Sequence, residues 1–206
     1  QILSGAEEAE LGAMGIISGF PRAHGLFADL GGGSLDIITR NVKSFGISGT
    51  LPLGHIRVAE DSQYDRKKAI KIIEKRLEQC PWLSKLRGKT LYAIGGSWRA
   101  IALLYIEQIK YPLHVLDNFT MNNSDARTFT KLLGQSSSRS YEKMGRVALS
   151  RAQTMPYAAL VLNRLIKVTK PKDIIFSGYG LREGQFFKML QSSSNEIDPL
   201  INACTG

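Results

Sequence analysis

The chain has 206 residues, 43% of them hydrophobic and 22% charged, the composition of an ordinary globular protein. No apolar run approaches the roughly 18 residues of a membrane-spanning helix, and the opening "QILSGAEEAELGAMG" carries acids and no basic cluster, so that stretch does not read as a signal peptide. A net charge of +9 favours polyanionic partners (nucleic acid, polyphosphate, nucleotides or an anionic membrane) without choosing among them.

In chain order, residues 4–17 predict a helix, with Ser4 as cap and Glu7 completing a capping box. Residues 25–31, 35–40 and 42–53 predict three strands with tight links, an antiparallel meander whose third strand is bent or ends near Pro52. "SQYDRKKAIKIIEKRLEQC" predicts a helix with Tyr64, Ile70, Ile73 and Leu77 on one face and six basic residues on the other. That basic face reads either as a solvated surface or as a track for a polyanion. Residues 90–96 predict a buried strand into a glycine turn, and 97–110 a helix capped by Ser97. Residues 125–149 predict further helix broken by a mobile loop at "GQSSSRS". An apolar helix at 155–170 carries Pro156 in its first turn, and 173–180 predicts a last strand, followed by the helix "LREGQFFKML". The order implies an α/β layer with a mixed sheet. Cys80 and Cys204 have no metal or redox spacing, and reduced cytoplasmic thiols are the simple reading.

Three glycine turns, "DLGGGS", "AIGGS" and "FSGYG", each follow a predicted strand. Glycine lets backbone amides approach a ligand, and two of the turns lead into helix N-termini suited to anions. Asp29 and Asp36 flank the first turn. If the two strands pair, both carboxylates lie near one turn, where they suit a hard cation such as magnesium. The competing reading makes Asp29 a turn cap and Asp36 a solvent-facing strand residue.

Five segments, in order, resemble the exopolyphosphatase / guanosine pentaphosphate phosphohydrolase family of the actin, sugar-kinase and heat-shock ATPase superfamily. "ILSGAEEAELGAMG" resembles that family's I-S-G-x-E-E-A, and "DLGGGSLD" its D-x-G-G-G-S-T-E phosphate loop. "LPLGHIRV" resembles S-x-P-x-G, "AIGGSWRAIA" resembles G-x-x-G-T, and "FSGYGLREG" resembles S-x-x-G-L-R-E-G. Leu35 and Asp36 depart from the usual Thr and Glu, so a hydroxyl donor is lost and the acid is one methylene shorter.

The resemblance implies a ribonuclease-H-like (actin-like ATPase) α/β domain. Its mixed five-stranded sheet would have three antiparallel strands, then parallel ones, flanked by helices. Residues 1–20 would close an N-terminal lobe and supply the inter-lobe helix; 21–192 would form the second lobe; 193–206 would be a tail or the start of a C-terminal domain. The start at Gln1 and the lack of a D-x-G-S-N-S segment fit a fragment holding half a cleft. The implied activity is Mg2+-dependent hydrolysis of terminal phosphoanhydrides of inorganic polyphosphate or guanosine pentaphosphate, in the cytoplasm. Glu8 would be the general base, Asp29 and Asp36 would hold the metal or water, and the amides of Gly31, Gly32, Gly33 and Ser34 would cradle phosphate. Gly95, Gly96 and Ser97 would line the other side. Arg57, Arg99 and Arg182 lie near the turns and could reach phosphate. A homodimer stays open; no membrane and no specific nucleic acid is expected as partner. Two alternatives stand beside the hydrolase: a kinase-like member of the superfamily, and an incomplete fragment that binds polyanions or nucleotides without turnover.

Overall fold

The structure, a computed structural model, describes residues 4–113, 115–144 and 149–193. Its elements are helices α1 (Gly5–Gly19), α2 (His55–Asp61), α3 (Arg66–Leu77), α4 (Gly96–Gln108), α5 (Asn123–Gln135), α6 (Ser138–Glu142), α7 (Leu149–Ala152), α8 (Met155–Thr169) and α9 (Leu181–Ser193). The strands are β1 (Gly25–Leu30), β2 (Leu35–Arg40), β3 (Phe45–Leu51), β4 (Thr90–Ile94), β5 (Phe119–Asn122) and β6 (Asp173–Phe176).

They form one sheet in the order β3-β2-β1-β4-β6-β5. The β3-β2-β1 meander is antiparallel, β1, β4 and β6 run parallel, and β5 is antiparallel to β6. The expected mixed α/β architecture is therefore present, with six strands and not five. β5 was missed because its "FTMN" is only four residues, too short for the buried–exposed alternation of Phe119 and Met121 to stand out.

Strand alternation divides the core between the two sheet faces. Leu26, Ala28, Leu30, Leu35 and Ile37 join the larger core with Trp98, Ile101 and much of α8. Phe27, Ile38, Tyr92 and Ile94 form the smaller core under Ala9, Ala13 and Ile16 of α1. Phe27 and Tyr92 stack there, 4.6 Å between ring centroids and 13° between planes. Helix α1 has the expected capping box: Ser4 Oγ accepts from the Glu7 amide at 3.3 Å, and Glu7 Oε2 accepts from the Ser4 amide at 2.7 Å. It also packs on α9, where Gly184 comes so close that a Cβ would lie 1.8 Å from the Leu11 carbonyl oxygen.

Three local expectations change. Helix α3 begins at Arg66, capped by Asp65, and Tyr64 precedes it at a φ of 59°. Residues 41–44 form a turn before β3, in which Asn41 Oδ1 accepts from the amides of Lys43 and Ser44, both at 2.8 Å. "GQSSSRS" is not a loop but a helix junction: Gln135 ends α5, and Ser137 caps α6 by accepting from the Ser140 amide. The expected tail at 193–206 lies, beyond Ser193, outside the described residues.

Candidate active site

In the β1–β2 register Asp29 stands directly opposite Asp36, with Leu30 opposite Leu35 at the last pair before the glycine turn. Residues opposed in an antiparallel ladder share a sheet face, so the two carboxylates meet on the face that α1 covers. Asp36 is therefore buried and not solvent-facing. Its Oδ2 accepts from Ser34 Oγ at 2.7 Å, while its Oδ1 is buried without a partner. Leu35 points to the other face and is fully buried in the larger core. Its departure from the usual Thr is thus a packing change, and no hydroxyl is lost from the site.

Helix α1 lies across these acids. A Cβ on Gly5 would sit 1.9 Å from Thr50 Oγ1 and 2.7 Å from Asp36 Oδ1, so only glycine lets the helix start there. The first turn of α1 brings the half-buried Glu8 into the field of the pair. Burial, then Asp36, raises the Glu8 carboxyl above its usual range. Burial first, then Asp36, pushes Asp29 up to about 6; Arg99 pulls it down and Glu8 adds a further rise. Among the described residues no group of three or more His, Cys, Asp or Glu is arranged to hold a metal ion by itself.

The glycine turn is held from behind. The amides of His55, Ile56 and Arg57, at the start of α2, donate to the carbonyls of Gly31 and Gly32 at 3.1–3.2 Å. Those contacts satisfy helix-terminal donors and fix the loop carbonyls towards α2. Gly31 donates its own amide to the Ser34 carbonyl at 3.0 Å, so that amide is spent, contrary to its expected phosphate role. Among the described residues, nothing accepts from the amides of Gly32, Gly33 or Ser34.

The second glycine turn abuts the first. Gly95 has a φ of +108°, and a Cβ there would meet the Leu30 carbonyl oxygen at 2.5 Å, which demands glycine. Gly95 is the N-cap residue of α4 and makes no side-chain cap. Ser97, expected to be the cap, lies inside the helix and is buried. The third turn differs: the amides of Gly178, Tyr179 and Gly180 are taken by Asp117 Oδ1, Ser177 Oγ and Glu183 Oε2 at 2.8–3.0 Å. It shapes a wall, and its own three amides are spent within the protein.

Two adjoining cavities open at these turns. One, of about 640 Å³, is bordered by Asp29, Gly95, Gly96, Arg99, Arg151 and Arg182 among others. Its neighbour, of about 560 Å³, is bordered by Gly31, Gly32, His55, Gly96, Ser97 and Arg151. Arg57 flanks the first turn, its guanidinium 3.7 Å from where a Gly33 Cβ would stand. Arg151 and His55 border the cleft without having been among the residues expected there from sequence. Arg151 Nη1 lies 2.7 Å from the position of a Gly96 Cβ, but it comes from α7, remote in sequence from every glycine motif. His55 sits within "LPLGHIRV" and is buried with Nδ1 unpartnered. Burial, then Arg151, lowers its pKa to about 4, so it is neutral at physiological pH.

A six-stranded mixed sheet flanked by helices is the α/β fold that the chain shares with solved exopolyphosphatase structures. The family description "Ppx/GppA phosphatase family" matches residues 1–193, and the chain belongs to that family. It is 25% identical over 228 residues to Retrograde regulation protein 2 of Saccharomyces cerevisiae, a match spanning 98% of this chain and 39% of that protein. Among solved structures it resembles an exopolyphosphatase from Cytophaga hutchinsonii, with a TM-score of 0.83, 21% identity and coverage of 93% of this chain and 65% of that one. It also resembles the Aquifex aeolicus member of the Ppx/GppA family, with a TM-score of 0.74, 19% identity and coverage of 93% and 63%. The chain spans less than two thirds of each of these relatives. Among the described residues, no helix is long and apolar enough to cross a membrane.

Proposed function

We propose that the intact protein hydrolyses terminal phosphoanhydride bonds of inorganic polyphosphate, guanosine pentaphosphate or both. The observation that carries this reading is the meeting of Glu8, Asp29 and Asp36 beside a glycine turn with unspent amides. Phosphoryl transfer needs positioning and charge neutralisation more than covalent help. The amides of Gly32, Gly33 and Ser34 supply donors on one side, and Arg151 and Arg99 supply charge on the other. Glu8, at the solvent edge, takes the proton of the attacking water; its raised pKa suits a base.

The orphaned Asp36 Oδ1 and the like-charged Asp29 facing it fit a divalent cation, with Mg2+ leaving other positions for water and phosphate oxygens. When bound, the ion would offset the substrate's charge and orient it. Residues 21–192 are proposed as the second lobe of a two-lobed protein in the cytoplasm, with 1–20 as the end of the N-terminal lobe and the inter-lobe helix.

The test is Glu8→Gln in the intact protein. Orthophosphate release from polyphosphate should fall by about 10²–10⁴ with polyphosphate binding kept. Undiminished release would remove Glu8 as the base. Phosphorylation of an added acceptor in place of release would favour the kinase-like reading.

A further inference from the structure

Four buried side-chain polar atoms lack a partner among the described residues. Three belong to Asp36, His55 and Arg99, at the cleft. The fourth, Arg164 Nε, lies elsewhere, at a groove of about 780 Å³ between α3, α5 and α8 that shares no bordering residue with the cleft. A buried donor without an acceptor is costly, so its position marks a surface suited to an acceptor-rich ligand.

Six cations border this groove: Arg66, Lys67, Arg127, Lys131, Arg164 and Lys167, with no carboxylate among the bordering residues. Glu74, just outside, is shared between Arg164 at 3.6 Å and Lys167 at 3.4 Å, and Asp65 lies in the field of Lys67, so these two acids leave the groove with an excess of positive charge. Arg66 is anchored by donating to the carbonyls of Gln135 and Ser136. Asn163 Nδ2 fixes the floor by donating to the Arg127 carbonyl and to Thr130 Oγ1, both at 3.0 Å. Arg127 and Lys131 are one turn apart on α5, and Arg164 and Lys167 about one turn apart on α8. Residues so spaced stand about 5–6 Å apart, which gives the groove two cationic edges.

We infer that this groove is a second, non-hydrolytic binding site for a linear oligophosphate. Among the described residues no aromatic side chain borders it, so a nucleotide base has no ring there to stack on. Among the described residues, the large apolar side chains at its border are Ile70, half-buried, and Leu160, buried in the core, which disfavours the side chains of an acidic peptide. A chain of phosphates carries charge on every unit and no apolar part, and arginine forks match its oxygens. The lack of a carboxylate leaves no base for hydrolysis. The inference rests on the proposed substrate class in naming polyphosphate as the occupant, but not on turnover at the cleft.

The test is titration of the intact protein, carrying Glu8→Gln so the ligand persists, with short-chain inorganic polyphosphate at several salt concentrations. The comparison is the same protein with Lys67→Gln, Arg127→Gln and Lys131→Gln added; none of these side chains holds a backbone carbonyl. Affinity should fall about tenfold at low salt, and the slope of log K against log salt should flatten by about 2. In the protein with Glu8 intact, orthophosphate release from tripolyphosphate should be unchanged by the three substitutions. Unaltered affinity and slope would overturn the groove alone. Equal binding of poly-glutamate, lost on the same substitutions, would overturn the oligophosphate assignment in favour of an acidic peptide. Absence of release from the protein with Glu8 intact would sink the hydrolase reading while the titration still reports on the groove.

Discussion

Asp29 carries a protonation cost that links the site to stability. Its folded-state pKa of about 6 stands above the ordinary 3.8. Below about pH 4 both folded and unfolded carboxyls are neutral and the residue costs nothing. Between 4 and 6 the folded state holds the extra proton, so stability falls as pH rises, and above about 6 the whole penalty is present. Asp29→Asn should therefore stabilise the metal-free protein at pH 7 by on the order of 1–3 kcal/mol and lose that gain near pH 3.5, read by denaturant unfolding. An equal gain at both pH values would contradict the charge explanation. Added Mg2+ should raise the wild-type unfolding midpoint at pH 7 more than that of Asp29→Asn; equal rises would remove Asp29 from the ion's site. At Arg151, replacement by Gln should weaken polyphosphate binding in the cleft by about 1.5–3 kcal/mol, and unaltered Kd for tripolyphosphate would deny it that contact.

Helices hold the acids in place. Helix α1 carries Glu8, starts against Asp36 at Gly5, and is braced on its far side by α9 through Gly184. Gly184→Ala would put a methyl 1.8 Å from the Leu11 carbonyl, so α9 must shift. The expected cost is about 1–3 kcal/mol in unfolding free energy, with a loss of turnover as α1 follows; unchanged stability would mean the two helices part freely. The same packing explains what the sequence disclosed. The capping box, the hairpin and the Asp29–Asp36 pairing are local and could be read from adjacent residues. Arg151 and the spent amides of the third turn depend on contacts between distant segments, such as Asp117 with Gly178, and no local pattern announces them. His55 was visible but unremarkable until burial left its Nδ1 unpartnered. Leu35 looked like a deficit because its sheet face could not be known before the register was.

At the scale of the whole molecule, two cationic clusters stand out among the described residues: arginines around the glycine turns, and the α3–α5–α8 groove. The basic helix read from the sequence is partly structural, since Arg76 binds the Pro52 carbonyl and Asp61 at 2.6 Å while Arg66 secures the end of α5. The central claim is that the acids of the β1–β2 hairpin and α1 form a hydrolytic centre. It is tested most directly by following orthophosphate release from inorganic polyphosphate, with Mg2+, by the intact protein and its Glu8→Gln variant. The expected result is release by the wild type, a loss of about 10²–10⁴ in the variant, and retained polyphosphate binding in both. Release that survives in the variant, or a wild type that binds polyphosphate without releasing phosphate, would contradict it.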